Sequence, residues 1–307
     1  EVETVLENSN YKPDEASVRA TILDGDTVIA QSVSAPVSCD YASKTTVNQK
    51  LSVSRPTRWD IDNPKLYTLK VEVLKNGEAI DEESARIGFR TFSIDAEKGF
   101  FLNGRPLKIK GTCNHQDHAG VGVAVPDSVQ YYRIQRLKDM GTNAYRCSHN
   151  LPNKEILDAC DELGMIVMDE NRRFESRDEV LEYLDIMVRR DRNHPSILAW
   201  ESSLNETKQP ADFIAEMSRL VHEEYPAPYC YSAGWQRGYD IYVESRQFRI
   251  FNKTTSDDVP LIVSEYGDWE YYANDGGLTQ YVRGWRQKPE LSSRQLREHG
   301  EKRMVQM

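Results

Sequence analysis

Asn143-Ala144-Tyr145-Arg146-Cys147, then a helical stripe of Ile156, Leu157, Cys160 and Leu163, then Met165-Ile166-Val167-Met168: this stretch decides the fold. A short strand, a helix of period 3.6 stopped by Gly164 and an apolar run make a strand–helix–strand unit. The run Met165 to Met168 is apolar throughout and reads as a strand buried on both faces, as in a parallel sheet.

The alternation extends in both directions. Upstream, Leu107-Lys108-Ile109-Lys110 reads as the first strand. Asp127 with Gln130 reads as a capping pair for a helix that buries Val129, Tyr132, Leu137 and Met140 before Gly141 ends it. Downstream, a helix carries Leu181, Leu184 and Met187, Ile197-Leu198-Ala199-Trp200 is the fourth strand, and the next helix carries Phe213, Ile214, Met217 and Leu220. Tyr229 to Ser232, Asp240 to Val243 and Leu261-Ile262-Val263 supply strands five, six and seven, and a polar helix is expected from Ser292 onward. Alternation of this length implies a (β/α)8 TIM barrel over 96–307, truncated before strand eight, since a closed barrel takes eight strands and about 250 residues. Strands one and seven would then keep unpaired edges, so this length alone is expected to fold poorly.

Before Asp95 the rhythm is different. Thr68 to Val73 alternates with period two, burying one face and leaving the other wet, and Asp24-Gly25-Asp26 and Asn76-Gly77 are hairpin turns. Residues 1–95 are therefore expected to form an immunoglobulin-like β-sandwich, with Pro64 outside the ladders to which it could not donate.

Bulk composition narrows the function. The 307 residues carry 49 acidic and 39 basic side chains, a net charge of −10, which argues against a nucleic-acid partner. No apolar run approaches the ~20 residues needed to cross a bilayer, so no membrane partner is expected. Glu1 opens on polar sequence without a leader, which leaves cytoplasm and periplasm both open. The five cysteines lack CxxC spacing and read as buried free thiols rather than a zinc or redox centre.

In a barrel, catalytic groups sit at the carboxyl ends of the strands, where the βα loops converge. That rule selects His115 and His118 after strand one, His149 after two, Asp169 and Glu170 after three, Asn205-Glu206 after four, Tyr242 in six and Glu265 after seven. Glycoside hydrolysis needs one carboxyl to protonate the leaving oxygen and a second to meet the oxocarbenium-like carbon, about 5–5.5 Å apart in retaining enzymes. Glu206 and Glu265, on strands across the barrel mouth, can supply both.

Arg192-Asn193-His194-Pro195-Ser196-Ile197 leading to Asn205-Glu206, and Pro260-Leu261-Ile262-Val263-Ser264-Glu265-Tyr266-Gly267, resemble the two active-site signatures of glycoside hydrolase family 2. Ile87 to Arg90, Phe101 to Pro106, Arg146 to His149 and Met168 to Glu170 are similar to further family motifs. The resemblance implies a retaining β-glycosidase with Glu206 as acid/base and Glu265 as nucleophile. It also implies that Asn205 binds the sugar 2-hydroxyl, that Tyr242 donates to the nucleophile and that His149 lines the glycone pocket. His115 and His118 match the family's first loop in part; Trp235 is a candidate sugar platform, and Glu170 either contacts substrate or pairs with Arg146.

Two departures stand out. Glu201-Ser202-Ser203-Leu204 replaces the usual glycine before Asn-Glu, and Asn171 to Glu175 lacks the Glu-x-His magnesium ligands of some family galactosidases. No metal or other cofactor is therefore expected. The implied substrate is a terminal β-linked sugar in an oligosaccharide or glycoside, a β-galactoside first and a β-glucuronide as the alternative; a homo-oligomer is compatible. A noncatalytic carbohydrate-binding protein is the rival from another class, suggested by the incomplete barrel and Leu204.

Overall fold

The computed structural model describes residues 1–171, 175–203, 209–233, 238–245, 259–265, 269–274 and 277–282. An immunoglobulin-like sandwich is followed by a parallel barrel. In the sandwich, Val2–Asn8 pairs antiparallel with Ser43–Gln49. Facing it is a sheet in the order Thr27–Val33, Asp14–Asp24, Tyr67–Lys75 and Glu78–Ile87, with Val37–Cys39 also paired to Asp14–Asp24. Leu6, Val18 and Val47 fill the space between, helped by Val37, Val71 and Val73. Asn76 (φ 53°) and Gly77 (φ 87°) both take the left-handed backbone of a tight hairpin turn. The outward face of Tyr67–Lys75 is not simply wet, as its alternation suggests. Glu72 is buried there beneath Arg19, whose Nε and Nη2 reach its carboxylate at 2.7 and 2.9 Å, with Lys70 at 3.2 Å.

Seven parallel strands form the barrel sheet in chain order: β1 (Gly111–Asn114), β2 (Ala144–Cys147), β3 (Ile166–Glu170), β4 (Ile197–Ser203), β5 (Tyr231–Ala233), β6 (Ile241–Ser245) and β7 (Leu261–Glu265). Helices α1 (Asp127–Asp139), α2 (Lys154–Leu163), α3 (Asp178–Asp191) and α4 (Ala211–Glu224) follow the first four strands. The sheet curls until it is nearly closed: the Cys113 thiol of β1 reaches the Ser264 carbonyl of β7 at 2.9 Å. After β7, Trp269–Asn274 and Gly277–Val282 form an antiparallel hairpin that the alternation does not foresee. The region expected to be helical from Ser292 lies outside the described residues. Among the described residues no helix is long and apolar enough to cross a membrane.

The second βα unit matches its reading. Ile156, Leu157 and Cys160 are buried on α2, and Gly164 ends that helix in the left-handed region at φ 73°. The first unit does not. Leu107 to Lys110 is an extended lead-in rather than the first strand, because the Asn143 side chain takes the place of a ladder there. Its amide donates to the Lys108 carbonyl at 2.9 Å and its oxygen accepts the Lys110 N–H at 2.7 Å, and pairing begins only at Gly111 beside Ala144. The Asp127–Gln130 capping pair is absent as well. Pro126 occupies the cap without a side-chain bond, and α1 buries Gln130 and Ile134 while Tyr132 and Met140 face outward. The Gln130 carbonyl accepts Arg133 Nη1 at 3.2 Å, while its buried amide nitrogen has no partner among the described residues.

A small antiparallel sheet of Phe92–Asp95, Gly99–Leu102 and Arg105–Pro106 plugs the amino-terminal end of the barrel. Its Ile94, Phe100 and Leu102 pack with Ala144, Ile166, Leu198, Ala199 and Ile241 from the strand starts, and Trp59 of the sandwich side joins the same cluster. The carboxyl end, where this architecture places its sites, lies opposite.

Candidate active site

Parity along the strands sets the site. On β2, Tyr145 and Cys147 point to the helical layer, which turns Arg146 into the barrel. On β3 and β4 the same alternation sends Trp200 outward and brings Glu170 and Glu201 inward beside each other, where they are paired in register. Asp169 faces outward too, buried against Asp191 of α3; burial first and that second carboxyl next hold it well above the usual carboxylate range. It takes no part in the mouth.

Arg146 is the hub. Its Nε donates to Glu201 Oε2 at 2.7 Å and its Nη2 to Glu201 Oε1 at 3.2 Å. Nη2 also meets Glu170 Oε2 at 2.8 Å, and Nη1 donates to Glu265 Oε1 at 2.8 Å. One guanidinium therefore serves three carboxylates from three strands. His149, just beyond β2, shares two of them, with Nδ1 at 2.6 Å from Glu170 Oε1 and Nε2 at 3.6 Å from Glu265 Oε1. His115 stands edge-on to His149 with ring centroids 5.5 Å apart. The side chains of Glu170 and Glu201 are 1% and 0% exposed, whereas that of Glu265 is 23% exposed and looks into the mouth.

Three carboxylates around one buried cation cannot all ionise without cost. Burial, opposed by Arg146 and reinforced by the charges of Glu170 and Glu265, pushes Glu201 up to about 7. Burial works against the Arg146 charge, but Glu201 and Glu170 outweigh it and hold the guanidinium protonated. The assembly is a positively held carboxylate, Glu265, on a dry acidic floor. Such a group can act as a nucleophile or stabilise a cationic carbon.

The other expected residues fall as follows. Glu170 is paired with Arg146 beneath His149. His118 is turned into its own hairpin, with its N–H on the Gly122 carbonyl at 2.8 Å and its Nδ1 3.0 Å from the Ala119 carbonyl. The register places Tyr242 opposite Leu261 at the start of β7, while Glu265 stands opposite Ser245. Asn205, Glu206 and Trp235 lie outside the described residues. Reading strand ends alone missed Glu201, which lies one residue beyond the run Ile197 to Trp200. A charge inside an otherwise apolar strand is the signal that could have found it.

Two other clusters among the described residues serve the frame. Cys230, His222 and Asp240 line up as a thiol, an imidazole and a carboxylate, with Sγ 3.7 Å from His222 Nδ1 and His222 Nε2 3.0 Å from Asp240. The thiol is fully buried, and burial pushes it up to about 12, so it is no nucleophile. Asp240 is already used, accepting the Cys230 and Tyr231 N–H groups at 3.0 and 2.9 Å. Asp161, likewise, accepts the Ser196 N–H at 3.0 Å and faces His194 Nδ1 at 2.6 Å, which ties α2 to the start of β4.

Comparison with known proteins agrees with this architecture. Residues 1–90 match the model of Glycosyl hydrolases family 2, and residues 93–178 and 173–306 match that of Glycosyl hydrolases family 2, TIM barrel domain. A β-galactosidase of Bacteroides ovatus is 36% identical over 229 residues, covering 71% of this chain and 27% of its own length. A β-glucuronidase of Bacteroides fragilis is 28% identical over 242 residues, 73% of this chain and 34% of its own. The crystal structure of a glycosyl hydrolase family 2 member from Bacteroides cellulosilyticus superposes with a TM-score of 0.69 at 34% identity, over 75% of this chain and 32% of that one. This chain thus spans about a third or less of the length of these relatives.

Proposed function

Because the chain belongs to the glycosyl hydrolases of family 2, we propose that it carries the active site of a retaining β-glycosidase for terminal β-linked sugars. The observation that carries this reading is the carboxylate of Glu265, held at the barrel mouth by Arg146 at 2.8 Å and by His149 at 3.6 Å. In the first step Glu265 attacks the anomeric carbon as Glu206 protonates the departing glycosidic oxygen, so the C–O bond breaks and a glycosyl ester forms on Glu265. In the second, Glu206 takes a proton from water, whose oxygen displaces Glu265 and releases the sugar. Arg146 favours Glu265 as an anion before attack and again as a leaving group. Asn205 is assigned to the sugar 2-hydroxyl, with His149 and His115 on the glycone side and Trp235 as a stacking surface.

A β-galactoside is the favoured substrate and a β-glucuronide the alternative, since relatives of both names match at comparable identity. Aryl β-galactosides and β-glucuronides, assayed side by side, decide between the two named activities. The nucleophile is tested with the 2-fluoro analogue of whichever glycoside is turned over. Peptide mapping is expected to place the label on Glu265, and a label on another carboxylate with Glu265 unmodified rejects the assignment.

A further inference from the structure

We propose that Glu201 is a positioning residue of this reaction, clamping Arg146 in the orientation that presents Nη1 to Glu265. The proposal rests on Glu265 being the nucleophile. Its basis is the division of the guanidinium among its partners. Glu201 takes Nε and Nη2 together, at 2.7 and 3.2 Å, and a two-point pair fixes the plane of the group as no single contact can. Glu170 adds one contact at Nη2 and is itself shared with His149. Nη1 is left for Glu265, with the Cys113 thiol farther off at 3.7 Å.

The backbone supplies a second reason. The pairing of β4 with β5 shifts register between Glu201 and Ser203, so an irregularity sits between Glu201 and the Asn205-Glu206 pair. Such a bulge re-aims the side chains on either side of it. Here it follows directly on the residue that holds the arginine behind the nucleophile. The Glu201 side chain is fully buried, and among the described residues Arg146 is the cation it holds, so its role runs through that arginine.

The ionisable groups facing Glu201 are Arg146 from β2, Glu170 from β3 and Glu265 from β7, with the Cys113 thiol of β1 and His149 one shell further out. With Arg146 shared among three carboxylates, the proton at Glu201 becomes part of the balance that sets the charge at Glu265.

The test compares wild type, Glu201→Gln and Glu201→Ala in the full-length enzyme. Glutamine keeps a carbonyl oxygen for Arg146 but does not titrate, whereas alanine leaves Nε without its partner. Loss of about 1 Å of placement can cost about 100-fold. Glu201→Ala is therefore expected to lower kcat, and the rate of fluoro-sugar labelling of Glu265, by about that factor with KM little changed. Glu201→Gln keeps one acceptor but turns its amide N–H groups toward the other guanidinium N–H, so it should recover only part of that loss, and the pH–rate profile should shift because one group coupled to Glu265 no longer titrates. Should alanine not fold, the near-isosteric glutamine variant decides through its kcat, labelling rate and pH profile. Wild-type kcat, labelling rate and pH profile in the folded variants would overturn the proposal while leaving Glu265 as nucleophile; a wild-type label elsewhere than Glu265 would remove its foundation instead.

Discussion

Glu201 also leaves a mark on stability. Its carboxyl is raised from an ordinary 4.5 to about 7, so the folded protein holds a proton there that the unfolded chain releases earlier. A raised folded value contributes stability that is fully present below the unfolded value and is lost as pH rises through the folded one. Thermal melting of wild type and Glu201→Gln between pH 4.5 and 7.5 reads this effect together with its coupling to Glu170 and Glu265. The glutamine variant is expected to gain on wild type as pH rises, and a constant difference would refute the shift. If Glu206 is the acid/base, Glu206→Ala should slow poor leaving groups far more than activated aryl glycosides, since only the former need protonation. Azide should restore part of the turnover by attacking the glycosyl ester in place of activated water. Equal losses on both substrate types would take Glu206 out of the acid/base role.

Among the elements, α2 and β3 show why one unit could be read from sequence and another could not. The α2 stripe and its terminal glycine are local signals, and Gly164 is also required by its surroundings. Its φ is 73°, and a Cβ there would stand 2.4 Å from the Ile61 carbonyl oxygen. Gly141, which ends α1 at φ 91°, has nothing within 4 Å of such a Cβ. A left-handed non-glycine costs about 1–3 kcal/mol. Gly141→Ala should lose about that much, and Gly164→Ala clearly more, as read by denaturant midpoints; equal losses would mean that the Ile61 backbone yields freely. The start of β1 was illegible because a side chain 33 positions away, Asn143, satisfies Lys110 in place of a neighbouring strand. The catalytic candidates could be placed at strand ends because that rule needs only the strand count. The Arg146 network needed the register of β2, β3, β4 and β7 at once, and the irregularity after Glu201 hid its inward direction.

Across the whole molecule, the sandwich and barrel are joined through backbone carbonyls. Trp59 is fully buried between them, its Nε1 donating to the Asp161 carbonyl of α2 at 2.8 Å across 102 residues of sequence. Arg90 donates to the carbonyls of Pro195 and Ile197 at 2.8 and 2.7 Å and to the Tyr225 hydroxyl at 3.0 Å, holding the first residue of β4. Truncating a buried tryptophan typically costs about 3–5 kcal/mol. Trp59→Ala is therefore expected to lower the melting temperature of sandwich and barrel together, in one transition. Two separated transitions, with the barrel unchanged, would show that the interface contributes little.

Gly88 lies at a close approach of the two halves, where an added Cβ would stand 2.7 Å from Pro195. That fit bears on how freely such halves can be recombined. A chimaera that set this sandwich on another barrel would have to import the receptor surface too: a proline where Pro195 stands, a helix carbonyl aimed at the indole and a hydroxyl within reach of Arg90. The portable unit for engineering is therefore the sandwich together with the rear of α2 and the root of β4, and a cut at the linker alone would separate a plug from its socket.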